Sequence, residues 1–293
     1  MKKSFIILMG LLVMIGCDLK PRSGGDNEQI DPSYADETIA PEPQEAPDTL
    51  TTTPLVYVYD GDKVQVDLHI FYPESGANQY VVNAVREFIT EQLGGSYEGR
   101  LDDGQALLQH YGDSIRDYLV GEYQGDLADM DEESINGYYR NIVIMKVYET
   151  ARLVTFAYDE DIYLNGAHGS HAAYGVTFRK SDGRRFGPDM LRDVYSEDMY
   201  LLLKEGLMQY FSDMAQEPVN TDEKLKEFIL TDDDVNYLPL PNHAPFITAD
   251  GVNFIYQPYE ISFYAAGSPQ FIVPLDSMQR FFTVTAQRMT VNN

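Results

Sequence analysis

The sequence predicts an α+β fold: a small N-terminal α/β subdomain of hairpin plus helices, packed with a larger mixed antiparallel sheet and further helices. Three observations lead there. Two alternating apolar runs flank the turn Asp60-Gly61-Asp62, a hairpin signal. Apolar residues recur at helical spacing over 80–93, over 105–119 and after Ser196. The stretches 140–148, 153–158 and 174–179 are rich in β-branched and aromatic residues, as strands are.

Taken in order, Leu55 to Tyr59 and Val64 to Tyr72 form the two arms of the hairpin. Tyr80 to Leu93 places Val81, Val85, Phe88 and Leu93 on or near one helical face, and Gly94-Gly95 stops the helix. A second helix is expected over Gln105 to Leu119, followed by an acidic loop or short helix over Asp126 to Glu133. Arg140 to Tyr148, Leu153 to Tyr158 and Tyr174 to Arg179 read as strands, the last ended by the turn Ser181-Asp182-Gly183. Ser196 is the expected N-cap of a long amphipathic helix running to about Met214. Phe246 to Thr248 and Val252 to Tyr256 flank the turn Ala249-Asp250-Gly251, Glu260 to Tyr264 and Phe271 to Pro274 read as strands, and a last helix begins near Leu275. No internal repeat is visible.

The N-terminus predicts where the chain works. Lys2 and Lys3 precede an apolar stretch, Phe5 to Ile15, interrupted only by Gly10. That stretch is too short for a permanent span, which takes about 20 residues, and its flanks fit a secretory signal. Val13-Met14-Ile15-Gly16-Cys17 resembles the lipobox of bacterial lipoproteins, where a small residue precedes a cysteine that receives a diacylglycerol and becomes the first residue after cleavage. Met14 is a looser choice than the usual leucine. The expectation is a lipoprotein signal peptide over 1–16, lipidation at Cys17, and a membrane-anchored, extracytoplasmic place in the cell envelope. Cys17 is the only cysteine, so once acylated it leaves no disulfide, thiol nucleophile or cysteine metal site. Residues 17–53, with Pro21, Pro32, Pro41, Pro43, Pro47 and many carboxylates, read as a disordered acidic tether.

Beyond the tether, 54–148 is expected to form the N-terminal α/β subdomain and 149–293 the C-terminal domain. The chain carries 47 acidic against 21 basic residues, a net charge of −26. With no basic patch to neutralise phosphates, nucleic acid is excluded as a partner, and an anionic membrane surface is equally disfavoured. A basic protein or a cation is attracted instead, although acidity also serves solubility alone. There are 22 tyrosines and no tryptophan; most are expected in half-buried strands, the rest on a binding surface.

One stretch, Tyr163-Leu164-Asn165-Gly166-Ala167-His168-Gly169 followed by Tyr174, Asp182-Gly183-Arg184-Arg185-Phe186 and Met190-Leu191, resembles the first half of a family signature. Asp250-Gly251-Val252-Asn253-Phe254, Gln257-Pro258-Tyr259-Glu260-Ile261, Tyr264-Ala265-Ala266-Gly267 and Val273-Pro274-Leu275 are similar to its C-terminal block. The family is the domain of unknown function at the C-terminus of the lysozyme-sensing anti-sigma factor RsiV, found also beside the catalytic domain of the peptidoglycan deacetylase PdaC. The resemblance covers residues 150–282, and Asn165 departs from it where the family's Gly-Gly-Ala-His segment begins. Neither a sigma-binding segment nor a deacetylase domain is recognisable in the 293 residues. The resemblance therefore implies an extracytoplasmic module which, in one relative, recognises lysozyme directly.

Catalytic signals are weak. His168 and His171 are three apart, with Asp159 and Asp161 nearby, but His-x-x-His in a glycine-rich loop lacks the one-face helical spacing of zinc enzymes, so no metal is expected. Asp129, Asp131 and Glu133 lack the glycine and distal glutamate of a calcium loop, and Asp232-Asp233-Asp234 reads as a solvated turn. Ser170 beside two histidines says nothing about triad geometry. No catalytic residue and no cofactor is expected. Gly166, Gly183, Gly251 and Gly267 suit turns with positive φ, and Pro258 with Tyr259 an extended-to-turn transition. If the Gly-Ala-His loop and the Pro-Tyr-Glu segment meet, His168, Ser170, His171, Pro258, Tyr259, Glu260 and Tyr264 form a recognition surface for a basic, lysozyme-like protein or a cell-wall glycan. The rival expectation is an enzyme, or an accessory to one, acting on cell-wall polymer.

Overall fold

Alternation along Val64, Val66, Leu68, Ile70 and Tyr72 puts five side chains on one face of a strand, and all five are buried. The computed structural model describes residues 49–76, 78–230 and 235–290. The expected signal peptide, Cys17, the expected tether up to residue 48 and the Asp232-Asp233-Asp234 run lie outside them.

Strands β1 (Thr51–Asp60) and β2 (Val64–Ser75) form the antiparallel hairpin, closed by the Gly61 amide donating to the Val64 carbonyl at 2.9 Å. β3 (Tyr138–Glu149) joins β2 in parallel, and β4 (Leu153–Leu164) and β5 (Ser170–Arg179) continue antiparallel, giving the order β1-β2-β3-β4-β5. A parallel pair needs a crossover. Helices α1 (Gln79–Leu93) and α2 (Gly104–Asp129) supply it, started by caps in which the Asn78 and Asp103 side chains accept the Tyr80 and Ala106 amides. Val85 and Phe88 of α1 and Leu108 of α2 meet Leu68, Ile142, Phe156 and Phe178 in the first core.

The remaining chain builds a second core. Helix α3 (Glu197–Ala215) is capped by Ser196 as its sequence predicts, and Met199, Leu203, Leu207 and Phe211 form its buried stripe. It packs on a three-stranded antiparallel sheet, β6 (Phe246–Thr248), β7 (Gly251–Ile255) and β8 (Gln270–Val273), with the short helices α4 (Asp222–Lys226), α5 (Leu275–Met278) and α6 (Val284–Thr290) around it. The architecture is α+β, with the strands divided between a five-stranded mixed sheet and a three-stranded antiparallel one.

Several boundaries differ from the sequence expectation for physical reasons. β1 begins at Thr51, inside the stretch read as tether. The five-stranded sheet runs across residues 148 and 149, because β3 pairs with β4. α2 continues ten residues past Leu119, its last buried residue; apolar spacing reports packing, and the exposed tail of a helix has none. Glu260 to Tyr264, expected as a strand, is a turn followed by a short 3-10 segment, Tyr264–Ala266. The turn forms because Tyr259 adopts φ +66° and Glu260 donates its amide back to the Gln257 carbonyl.

Two buried threonines join the layers. The Thr155 hydroxyl donates to the Ile247 carbonyl at 2.6 Å, the Ile247 amide donates to Thr177 Oγ1 at 2.8 Å, and the two hydroxyls lie 2.8 Å apart. Beside them Gly175 leaves room for the Phe246 ring, which a Cβ there would meet at 2.3 Å. β6 thus covers one end of the sheet face opposite α1 and α2.

The edge where β1 begins is held by charge. Glu149 accepts from Lys146 at 2.7 Å, Lys180 at 2.9 Å and the Leu50 amide at 2.7 Å. Burial alone would raise the Glu149 carboxyl, but the hydrogen bonds from Lys146, the Leu50 amide and Lys180 outweigh it and hold the group below its ordinary value. Its stabilisation is present above about pH 4.5 and lost as pH falls through the lowered folded value. Glu149→Gln should therefore cost about 3 kcal/mol at neutral pH, since it takes the carboxylate from the buried Lys180. Urea unfolding at pH 7 and pH 3.5 checks this: the gap between variant and wild type should shrink in acid.

Candidate functional site

Strand alternation leaves the other end of that sheet face open. There β3 presents Tyr139, β4 presents Asp159, Asp161 and Tyr163, and β5 presents His171, with Asp161 directly opposite His171 in the ladder. The β4–β5 connection, 165–169, carries the Gly-Ala-His segment. Asn165, the departure from the family pattern, adopts φ +54°, a left-handed geometry that asparagine tolerates. Its side chain fixes the loop, accepting the Asn136 amide at 2.9 Å and donating to Asp126 at 3.0 Å.

The turn after β7 meets this loop. The Gln257 amide pairs with both backbone groups of Ala173, accepting its N–H at 3.1 Å and donating to its carbonyl at 2.8 Å, which closes the outer edge of β5 at that residue. Pro258 and Tyr259 turn the chain, and Tyr264 donates its hydroxyl to the Gly169 carbonyl at 2.7 Å. The His168 ring stacks on Tyr264 with centroids 4.1 Å apart and 25° between planes, and Tyr259, 58% exposed, completes the cluster 5.5 Å from Tyr264. His168 Nδ1 lies 2.8 Å from the Gly169 carbonyl, an acceptor, so Nδ1 carries the proton. On the open face Tyr139 and Tyr163 stack at 5.8 Å, while Tyr174, on the opposite face of β5, stacks on His243 at 3.8 Å. Burial pushes the His243 imidazole below its ordinary value against the opposing pull of Glu260.

The residues singled out from sequence separate into three groups. His168, Tyr259 and Tyr264 come together as one aromatic surface, with Pro258 at its turn. Glu260 faces the backbone instead: its two oxygens accept the Asn242 amide at 2.5 Å and the Gln257 amide at 2.7 Å. Ser170 and His171, adjacent on β5, point to opposite faces of the sheet. His171 joins Asp161, whose Oδ1 lies 3.0 Å from Nδ1, and Asp159, whose Oδ2 lies 4.0 Å from Nε2, and His168 is not among them. Burial raises the Asp159 carboxyl, His171 draws it down and Asp161 adds to the rise. Tyr163 and Gln257 lie within the motif stretches but, like Tyr139, are not expected as site residues from sequence; the register that sets Tyr139 beside Tyr163 does not show in spacing.

A groove of about 790 Å³ runs elsewhere, between α3 and β8, lined by Leu201, Leu202, Phe271 and Ile272 and rimmed by Asp198, Glu205 and Asp213. Val273 and Pro274 of the C-terminal motif block line it, but none of the candidate site residues does. Gln257→Ala tests the junction that carries the aromatic surface: losing both bonds to Ala173 should cost about 1–2 kcal/mol. Hydrogen exchange should show the Ala173 amide exchanging faster, with the Phe178 amide unchanged.

Two DUF3298-family structures share the fold. One from Bacteroides fragilis NCTC 9343 aligns at a TM-score of 0.62 and 19% identity, covering 84% of this chain and 99% of its own. One from Pseudomonas aeruginosa PAO1 aligns at 0.55 and 13%, covering 82% and 97%. No curated protein matches the sequence significantly. The model of a family described as a protein of unknown function, DUF3298, matches residues 188–276, a span that includes the Pro258–Tyr264 turn but not the Gly-Ala-His loop. The chain therefore carries a DUF3298 domain over residues 188–276.

Proposed function

We propose that this chain is a lipid-anchored, extracytoplasmic binding module of the bacterial cell envelope that recognises a basic protein, with lysozyme-like hydrolases the first candidates. The observation that carries the reading is the three-ring surface of His168, Tyr259 and Tyr264 on the same side of the fold as the carboxylates of Asp159 and Asp161. Aromatic faces beside carboxylates suit arginine and lysine side chains, which stack on the one and pair with the other. The net charge of −26 speeds encounter with a cationic partner. An open, sheet-borne surface suits a macromolecule, whereas small ligands take concave pockets. The resemblance of residues 150–282 to a lysozyme-sensing module points the same way.

A cell-wall glycan is the second reading, favoured by Tyr259, whose exposed ring offers a stacking platform for a sugar face. The enzyme reading rests on His171 between two carboxylates. Under it, Asp161→Asn would abolish a peptidoglycan-cleaving activity of the chain; under ours neither form has one.

A pull-down of the purified chain with lysozyme at low and moderate salt tests the leading reading. Capture should weaken as salt rises, and Tyr264→Ala should lower affinity about tenfold, the loss typical of a ring at the centre of an interface. No capture at micromolar concentration at either salt removes lysozyme. Capture of insoluble peptidoglycan instead would establish the glycan reading. The anchor is tested separately: Cys17→Ala should abolish metabolic labelling by a fatty-acid analogue and move the chain to the soluble fraction. Labelling that survives the substitution contradicts the assignment.

A further inference from the structure

Asp159 and Asp161 stand two positions apart on β4, on the same face, and His171 stands opposite Asp161 on β5. One ligand atom from each residue lies within 4.8 Å of the other two. β4 lies between β3 and β5, so the ladder on both sides fixes the backbone under the two carboxylates. Among the described residues, no lysine or arginine pairs with either of them, and their one partner is the His171 imidazole. An ordinary solvated acidic patch has no such imidazole at its centre, and a nitrogen donor among oxygen donors changes which cation the group prefers.

We propose that Asp159, Asp161 and His171 form a binding site for a first-row transition-metal dication, with Zn²⁺ the first choice. Mixed imidazole and carboxylate donors suit Zn²⁺ and its neighbours, whereas Ca²⁺ and Mg²⁺ take oxygen ligands. Zn²⁺ holds nitrogen and oxygen donors at about 2.0–2.2 Å, which puts tetrahedral donors about 3.3 Å apart. The donors already stand close to that spacing: His171 Nδ1 is 3.0 Å from Asp161 Oδ1 and Nε2 is 4.0 Å from Asp159 Oδ2. Three protein ligands leave a fourth position for water or for a donor from a partner, the arrangement of an open rather than a closed site. The site shares Asp159 and Asp161 with the protein-binding reading but stands on its own geometry: the aromatic cluster contributes none of its ligands, and His168 is held by Tyr264 and Gly169.

Isothermal titration of the metal-stripped full chain with Zn²⁺ is the test, with Ca²⁺ and Mg²⁺ as comparisons. One Zn²⁺ should bind per chain, while Ca²⁺ and Mg²⁺ bind at least about tenfold more weakly. His171→Gln and Asp161→Asn should each weaken Zn²⁺ binding about tenfold or more. His110→Gln, which alters a histidine on helix α2 across the sheet, should leave it unchanged. Absence of Zn²⁺ binding by the wild type at ~100 μM, or wild-type binding by His171→Gln, overturns the proposal. Should the variants fail to fold, Co²⁺ added to wild type decides the matter: paramagnetic broadening should appear first at the His171 ring, and broadening confined to other histidines overturns the site.

Discussion

The ring of hydrogen bonds formed by Thr155, Thr177 and the Ile247 backbone is the contact on which the rest of the arrangement depends. Each hydroxyl donates once and accepts once, and the N–H and C=O of Ile247 on the side facing β4 and β5 are both satisfied. Both threonines are almost wholly buried, so leaving either backbone group without its partner would cost about 1–3 kcal/mol. Apolar packing alone would let one sheet slide over another; directional bonds fix where β6 lies. With β6 fixed, Phe246 lies over Gly175, Gln257 reaches Ala173 and Tyr264 reaches Gly169. The aromatic surface is thus the far end of a chain of contacts that begins in a buried polar pair.

The same geometry explains why the functional surface sits where it does. β6 covers only one end of the sheet face, so the alternation that places Thr155 and Ala157 beneath it places Asp159, Asp161 and Tyr163 beyond its reach. Along one strand, a single face passes from core to solvent. The carboxylates occur where the cover ends, on the face that also carries Tyr139 and Tyr163.

Local chemistry was legible in the sequence and register was not. The hairpin around Gly61, the stop at Gly94-Gly95 and the Ser196 cap follow from residue types with direct backbone consequences. The parallel pairing of β2 with β3 does not, because two helices separate the strands. Residues 159–162 read poorly as strand because acidic residues have low β-propensity; pairing on both sides holds them extended. At the site, His168, Tyr259 and Tyr264 were visible through motif resemblance. Asp159 and Asp161 stand near His171 in sequence, but only the register of β4 against β5 brings the three side chains together. The motif resemblance places Glu260 in the surface, but its engagement by two backbone amides is invisible to any pattern in sequence.

Hydrogen–deuterium exchange of the full chain, with and without saturating lysozyme, tests most directly that one assembled face does the binding. If one face does the binding, protection is confined to residues 159–171 and 257–264, with α2 and the groove between α3 and β8 unchanged. A complex that forms while protecting only α2 or that groove would contradict it.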